Sequence, residues 1–249
     1  MKTNENRFIS AVRSFRDQTF CLLRSLPVFI TAFFIIDNLL MNVLAGFKII
    51  DLPWLVINWA ITVSWGTFMI LDVVTKRFGP AAANILSVIA AIANLIAALV
   101  CFLLSKIFSN PLLDLILGGQ WSVFTASTIA FIASSVLNNH LNHLIGKAFS
   151  KNPDGKAAYS ARAFTSTFVS QFIDNFLFLF LAFFIFPMIP SALNVTYTVP
   201  QILSCAALFA IAELITEVIF APVGYMTVKK WKEKGVGKEY AEKYNVEAN

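Results

Sequence analysis

Long apolar stretches alternate along the chain with short polar or proline-marked breaks. Runs of about twenty apolar residues suffice to cross a bilayer as helix, and they predict six spans at about 26–46, 52–75, 81–104, 122–145, 163–187 and 200–225. The breaks carry helix-stopping residues: Pro53, Gly79-Pro80, Asn110-Pro111, Asn152-Pro153-Asp154-Gly155, Pro187 with Pro190, and Pro200. The expected fold class is therefore all-α, a polytopic membrane protein with six transmembrane helices in one bundle. Residues 1–25 form a basic N-terminal segment lying along the inner membrane surface, 26–225 the membrane domain, and 226–249 a basic tail. A cleaved signal peptide is not expected, because the first apolar run begins late, is too long and lacks a small-residue cleavage pattern.

The fifth run has the most informative pattern. From Arg162 to Phe178, polar residues recur every four positions (Arg162, Ser166, Ser170, Asp174), with Thr167 and Gln171 one row over, while Phe164, Phe168, Phe172 and Phe176 fill the other side. A polar stripe ending in a carboxylate is costly in hydrocarbon unless it faces protein or water. This face is read as the lining of a path or pocket.

Composition supports a membrane protein. Of 249 residues, 58% are hydrophobic, 13% are charged and 25 are phenylalanine, and the mean hydropathy is +0.73; soluble domains have roughly 45–50% apolar and about 25% charged residues. Cys21, Cys101 and Cys205 lack any C-x-x-C spacing and read as packing residues. Seventeen of the 19 Lys and Arg residues fall before the first span, after the second, around the fourth connection or after the sixth, leaving only Lys48 and Lys106 on the other side. That asymmetry predicts both termini in the cytoplasm of a multi-pass plasma-membrane protein. The net charge of +5 then answers to anionic lipid, and no nucleic-acid partner is expected.

Polar residues inside the spans are the candidates for function. They are Asp37, Asn38, Asn42, Asn58, Asp72, Asn84, Asn94, Asn138, Asn139, His140, Asn142, His143, Gln171, Asp174, Glu213 and Glu217. Asparagine also serves as interhelical glue, so the carboxylates are the sharper candidates. His140 and His143 share a helix face and offer two metal ligands or a proton relay, but no third ligand stands nearby, so no metal is assigned. H-E-x-x-H, G-x-S-x-G and G-x-x-x-x-G-K-[ST] are all absent, which argues against an enzyme and against ATP hydrolysis by that loop.

Several of these positions coincide with a family pattern. Arg162, Ser166-Thr167, Gln171, Asp174, Phe178 and Ala182-Phe183 resemble, without a gap, the R-x3-S-T-x3-Q-x2-D-x3-F-x3-A-F pattern of the bacterial vitamin-uptake-like family associated with queuosine-precursor transport. Asn38-x3-Asn42, Asp72-x2-Thr75-x3-Gly79, Ala81-Ala82 and Pro222-x2-Tyr225 resemble further motifs of that family, in order. Lys76 stands where the family usually has Glu, Glu213 where it usually has Lys, and Asn142 where it tends to have Asp. The first two departures suggest one joint charge exchange, with Lys76 facing Glu213, or Glu217 one turn lower.

The resemblance implies a carrier importing a 7-deazaguanine base such as 7-cyano-7-deazaguanine (preQ0), its aminomethyl relative (preQ1) or queuine. The residues alone imply a small polar solute. A carboxylate suits a guanine-like edge, whose N1–H and exocyclic amine are adjacent donors. Asp174 is the first candidate acceptor, with Gln171, Ser170, Asn38, Asp72 and Asn139 completing the expected binding set and Phe178 or Trp65 available for stacking. Arg162, Lys76, Glu213 and Glu217 are expected to be structural or gating charges. No cofactor is expected. A substrate-binding subunit that depends on an ATPase is the alternative reading, and a homodimer or an energising partner is left open.

Overall fold

The computed structural model describes residues 2–108, 117–148, 156–190 and 192–246. Helices dominate: α1 (Lys2–Ser25), α2 (Val28–Leu44), α3 (Ser64–Phe78), α4 (Pro80–Ile107), α5 (Gln120–Ala148), α6 (Lys156–Phe180), α7 (Val199–Glu233) and α8 (Lys238–Lys243). Among the described residues, three segments are long and apolar enough to cross a membrane: Pro80–Ile107, Phe168–Met188 and Val199–Phe220. A fourth arises if Val12–Ser25 and Val28–Leu44, bent by 109° around Pro27, count as one span. The first three agree with the third, fifth and sixth expected runs.

The second expected run is corrected in part. Helix was expected from residue 52, yet Lys48–Asp51 (β1) and Val56–Asn58 (β2) form an antiparallel hairpin, followed by a 3-10 turn at Trp59–Thr62. The chain is thus predominantly, but not wholly, helical. Pro53 in the hairpin loop cannot donate to a helix, and Val56 and Ile57 are β-branched, so this short apolar run favours strand. The side chain of Asn58 accepts from the Ala60 N–H at 3.2 Å and starts the 3-10 turn. α7 runs on through Pro222 to Glu233, into the basic tail.

The chain divides into two compact units. The first comprises Met1–Ile36, Gly66–Ala90 and Phe220–Asn249. Its core gathers Leu22, Leu26, Phe34, Val74, Phe78, Ala82, Leu86 and Tyr240. The basic N-terminal segment is helical, as α1, and it holds the end of the chain: Gln18 Nε2 donates to the Tyr240 hydroxyl at 2.9 Å. Tyr240 and Trp231 meet the edges of Phe78 at 5.8 and 6.1 Å, and Arg77 lies over the same ring. Gly237, at φ +74°, lets the backbone pass against Phe78, since a Cβ there would meet the ring at 2.2 Å.

This clasp carries a pH prediction. Burial raises the pKa of the Tyr240 hydroxyl, against a smaller lowering by the Gln18 hydrogen bond. A folded-state pKa above the unfolded one gives stability that is complete below about pH 10 and lost as pH rises through the folded value. Tyr240→Phe removes one hydrogen bond, about 0.5–1.5 kcal/mol. Thermal melting should therefore show the wild type more stable at pH 8, with the gap closing above about pH 10; a gap constant to pH 11 counts against the clasp.

The second unit comprises Asp37–Trp65 and Ala91–Ile219. Thr198 and Gln201 form a capping box at the start of α7: the Thr198 N–H donates to Gln201 Oε1 at 2.8 Å, and the Gln201 N–H to Thr198 Oγ1 at 3.4 Å. Gln201 Nε2 also donates to the Leu52 carbonyl at 2.7 Å and ties the hairpin loop to that helix. Along α6 the phenylalanine face expected from sequence forms a ladder, Phe172–Phe176–Phe180–Phe184, with ring centroids 5.2–6.3 Å apart. After Phe180 the helix widens into a π turn, Leu181–Ile185, which buries Ala182 and Phe183 against the core. Phe183 stacks on Tyr197 at 4.5 Å.

Candidate functional site

Both polar networks described next lie within the second unit. The first links α2 to α4. Asn94 Nδ2 donates to Asn38 Oδ1 at 2.9 Å, and Asn42 Nδ2 donates to Asn94 Oδ1 at 3.2 Å. Asn42 and Asn94 are buried. Asn38 and Asn42, four apart, share one helix face, so a single asparagine on α4 serves both. Asn94→Ala leaves two polar groups of α2 unpaired and should cost about 1–2 kcal/mol, read as a lower unfolding midpoint in detergent. An unchanged midpoint would show that the three amides contribute no stability.

The second network joins α5, α6 and α7 through two carboxylates. The Ser134 hydroxyl of α5 donates to Asp174 Oδ1 of α6 at 2.6 Å, and it also lies 3.1 Å from the Phe131 carbonyl. Asn175 Nδ2, next along α6, donates to Glu213 Oε2 of α7 at 3.1 Å. Glu213 is only 4% exposed and stands within electrostatic reach of Asp174. Among the described residues neither carboxylate has a cationic partner. Gln171, one turn before Asp174 on the same face, is 8% exposed, and its Oε1 is buried without a hydrogen-bond partner among the described residues. Two acids and two amides thus stand on parts of α6 and α7 apolar enough for a bilayer, where isolated polar groups are costly, and a hydroxyl of α5 joins them.

This places the sequence candidates as follows. Asp174, Gln171 and the half-buried Ser170 lie on one stretch of α6, and Glu213 joins them from α7. Asn38 belongs to the separate asparagine network. Lys76 is exposed near the end of α3, in the first unit. The side chains of Asp72, Asn139, Arg162 and Glu217, and of the His140–His143 cluster, lie outside the described residues. Trp65 gives its indole N–H to the Thr62 carbonyl at 2.8 Å, and Phe178 meets the edge of Phe183. Sequence reasoning missed Asn175. Its only signal was its place beside Asp174, whereas its role depends on α7 bringing Glu213 alongside. The role of Ser134 likewise depends on α6 lying beside α5 and leaves no local signal.

Comparison with known proteins gives a family and nothing finer. No curated protein and no solved structure matches the chain significantly. A family profile described as "Putative vitamin uptake transporter" matches residues 58–227, which include the whole second network. With more than half of its length matched, and with segments fit to cross a membrane, the chain belongs to this family of membrane transport proteins.

Proposed function

We propose that the protein imports a 7-deazaguanine base of the queuosine pathway across the plasma membrane, with Asp174 as the group that receives it. The observation that carries this reading is the Asp174–Gln171 face. A half-buried carboxylate stands beside a buried amide oxygen that lacks a donor among the described residues, and a guanine-like edge supplies adjacent N–H donors for such acceptors. Hydrogen bonds to a charged acceptor contribute about 1.5–3 kcal/mol each, enough to select such an edge over an apolar solute. Ser134 donates to Asp174 Oδ1, and Asp174 Oδ2 is proposed to receive the ligand. Ser170, Asn38, Asp72 and Asn139 are proposed to complete the binding set, and Arg162, Lys76, Glu213 and Glu217 to act as structural or gating charges. α3 and α5 are proposed as two further spans, making six.

Purified protein in liposomes, offered radiolabelled 7-cyano-7-deazaguanine, tests the reading. Saturable uptake by this chain alone supports a self-sufficient carrier. Binding without uptake points to a subunit that needs an energising ATPase, and neither binding nor uptake of any 7-deazaguanine base removes the reading. Topology has its own test. Both termini are proposed to be cytoplasmic, so a C-terminal alkaline phosphatase fusion, active only outside the cytoplasm, should be inactive. An active fusion would reverse the orientation.

A further inference from the structure

Two carboxylates within electrostatic reach of each other, Glu213 buried and Asp174 half-buried, with no cation among the described residues to balance them, repel one another and would hold charge away from water. A single proton removes that conflict, and the hydrogen bonds already present can accommodate it. Ser134 has two acceptors within reach, Asp174 Oδ1 at 2.6 Å and the Phe131 carbonyl at 3.1 Å, but only one hydrogen to give. With Asp174 ionised, the hydroxyl donates to the carboxylate. With Asp174 protonated, the hydroxyl can accept from the acid and turn its own hydrogen to the Phe131 carbonyl. Glu213 is held differently: the Asn175 amide can only donate to its Oε2, leaving Oε1 for a proton. Gln171, buried on the Asp174 face with an unpartnered Oε1, marks the same place as one that expects a donor-bearing ligand.

We infer that Asp174 and Glu213 together bind a transportable proton, so that entry of the base is coupled to inward movement of H+. This rests on the reading of Asp174 as the base acceptor. The proton is taken up from the outer side and enters or leaves through the Asp174–Ser134 pair. When the base presents its N–H donors to Asp174, the proton resides on Glu213, so the acceptor stays anionic while the pair carries one charge. Release of the base to the cytoplasm lets the proton follow, and no bond other than O–H is made or broken. The other titratable or charged groups on these helices are Cys205, two turns before Glu213, and Tyr225, Lys229, Lys230, Lys232 and Glu233 beyond it on α7, together with His140, His143 and Lys147 on α5, Lys156, Tyr159 and Arg162 on α6 and Glu217 on α7, whose side chains lie outside the described residues. Asp37, on α2, is the other buried acid of this unit among the described residues.

Liposomes containing the full chain and the trapped pH indicator pyranine give the test, with 7-cyano-7-deazaguanine as the probe. Adding the base outside is expected to acidify the lumen, and an outside-acid gradient is expected to drive accumulation at least 10-fold above that in gradient-free vesicles. A protonophore should abolish both effects. In Glu213→Gln, whatever uptake remains should not respond to the gradient. Base exchange that is intact in the wild type, with accumulation indifferent to the gradient and the protonophore, overturns the coupling and leaves the import reading standing. Gradient-driven accumulation that survives in Glu213→Gln overturns the assignment to this pair. Absence of both exchange and uptake overturns import and coupling together.

Discussion

Asp174→Asn is expected to lower uptake by about 100-fold, equivalent to ~2.7 kcal/mol, while the amount of protein in the membrane stays close to wild type. The two side chains have the same shape, and Ser134 can still donate to an amide oxygen at position 174, so folding should be little affected. What is lost is the charge and one acceptor: an amide offers one oxygen and one NH2 where the carboxylate offers two oxygens. The NH2 would then face the N–H donors of a guanine-like edge. Uptake of labelled base per unit of membrane-inserted protein is the measurement. Near-normal transport by a well-expressed variant would remove Asp174 from the site.

The second large effect concerns folding. At Gly119 an added Cβ would lie 2.2 Å from Leu193 Cα and 2.4 Å from its backbone nitrogen. Backbone cannot rotate aside as a side chain can, so the 192–198 segment would have to move. That would disturb the Leu193 N–H bond to Ser122 Oγ (3.3 Å) and the stacking of Tyr197 on Phe183. Gly119→Ala should therefore destabilise by about 3 kcal/mol, the upper end of the usual range for overpacking. Gly46→Ala is the control. The closest atom to its Cβ would be the Leu193 Cδ2 methyl, at 3.1 Å, a contact that a rotamer change relieves, and its next neighbours, at 3.8 and 3.9 Å, are at ordinary contact distance. Thermal melting and the yield of monodisperse protein should separate the two; equal behaviour would show that the 192–198 segment yields readily.

Much of the helical framework was legible because long apolar runs leave a chain in lipid few alternatives. α4 and α7 begin close to where the breaks at Gly79-Pro80 and Pro200 place them. The phenylalanine ladder on α6 was equally legible, since a four-residue period sets one face of a helix. The hairpin at Lys48–Asn58 was not. A short apolar run fits strand or helix alike, and a fixed window length extended the second run back over it. The continuation of α7 beyond residue 225 was not legible, because its polar, lysine-rich end carries no apolar signal.

The site was legible by residue type and not by partnership. The pattern on the fifth run picked out Asp174 and Gln171, and the cost of a charge in the bilayer picked out Glu213. Nothing local could show that Ser134 reaches Asp174 or that Asn175 reaches Glu213, since each contact depends on which helices become neighbours. The asparagines illustrate the same limit. Asn38, Asn42 and Asn94 were each visible as polar residues in apolar runs, but their joining through Asn94 requires α2 and α4 to lie side by side.

A host that can neither make 7-deazaguanine precursors nor import them gives the most direct readout of what the protein carries. Expression of this chain, with 7-cyano-7-deazaguanine, its aminomethyl relative or queuine supplied in turn, is expected to restore queuosine to transfer RNA for at least one of the three, and Asp174→Asn at equal membrane levels is expected not to. Transfer RNA that stays unmodified with every base, while the protein is present in the membrane in normal amount, would contradict import of a queuosine precursor.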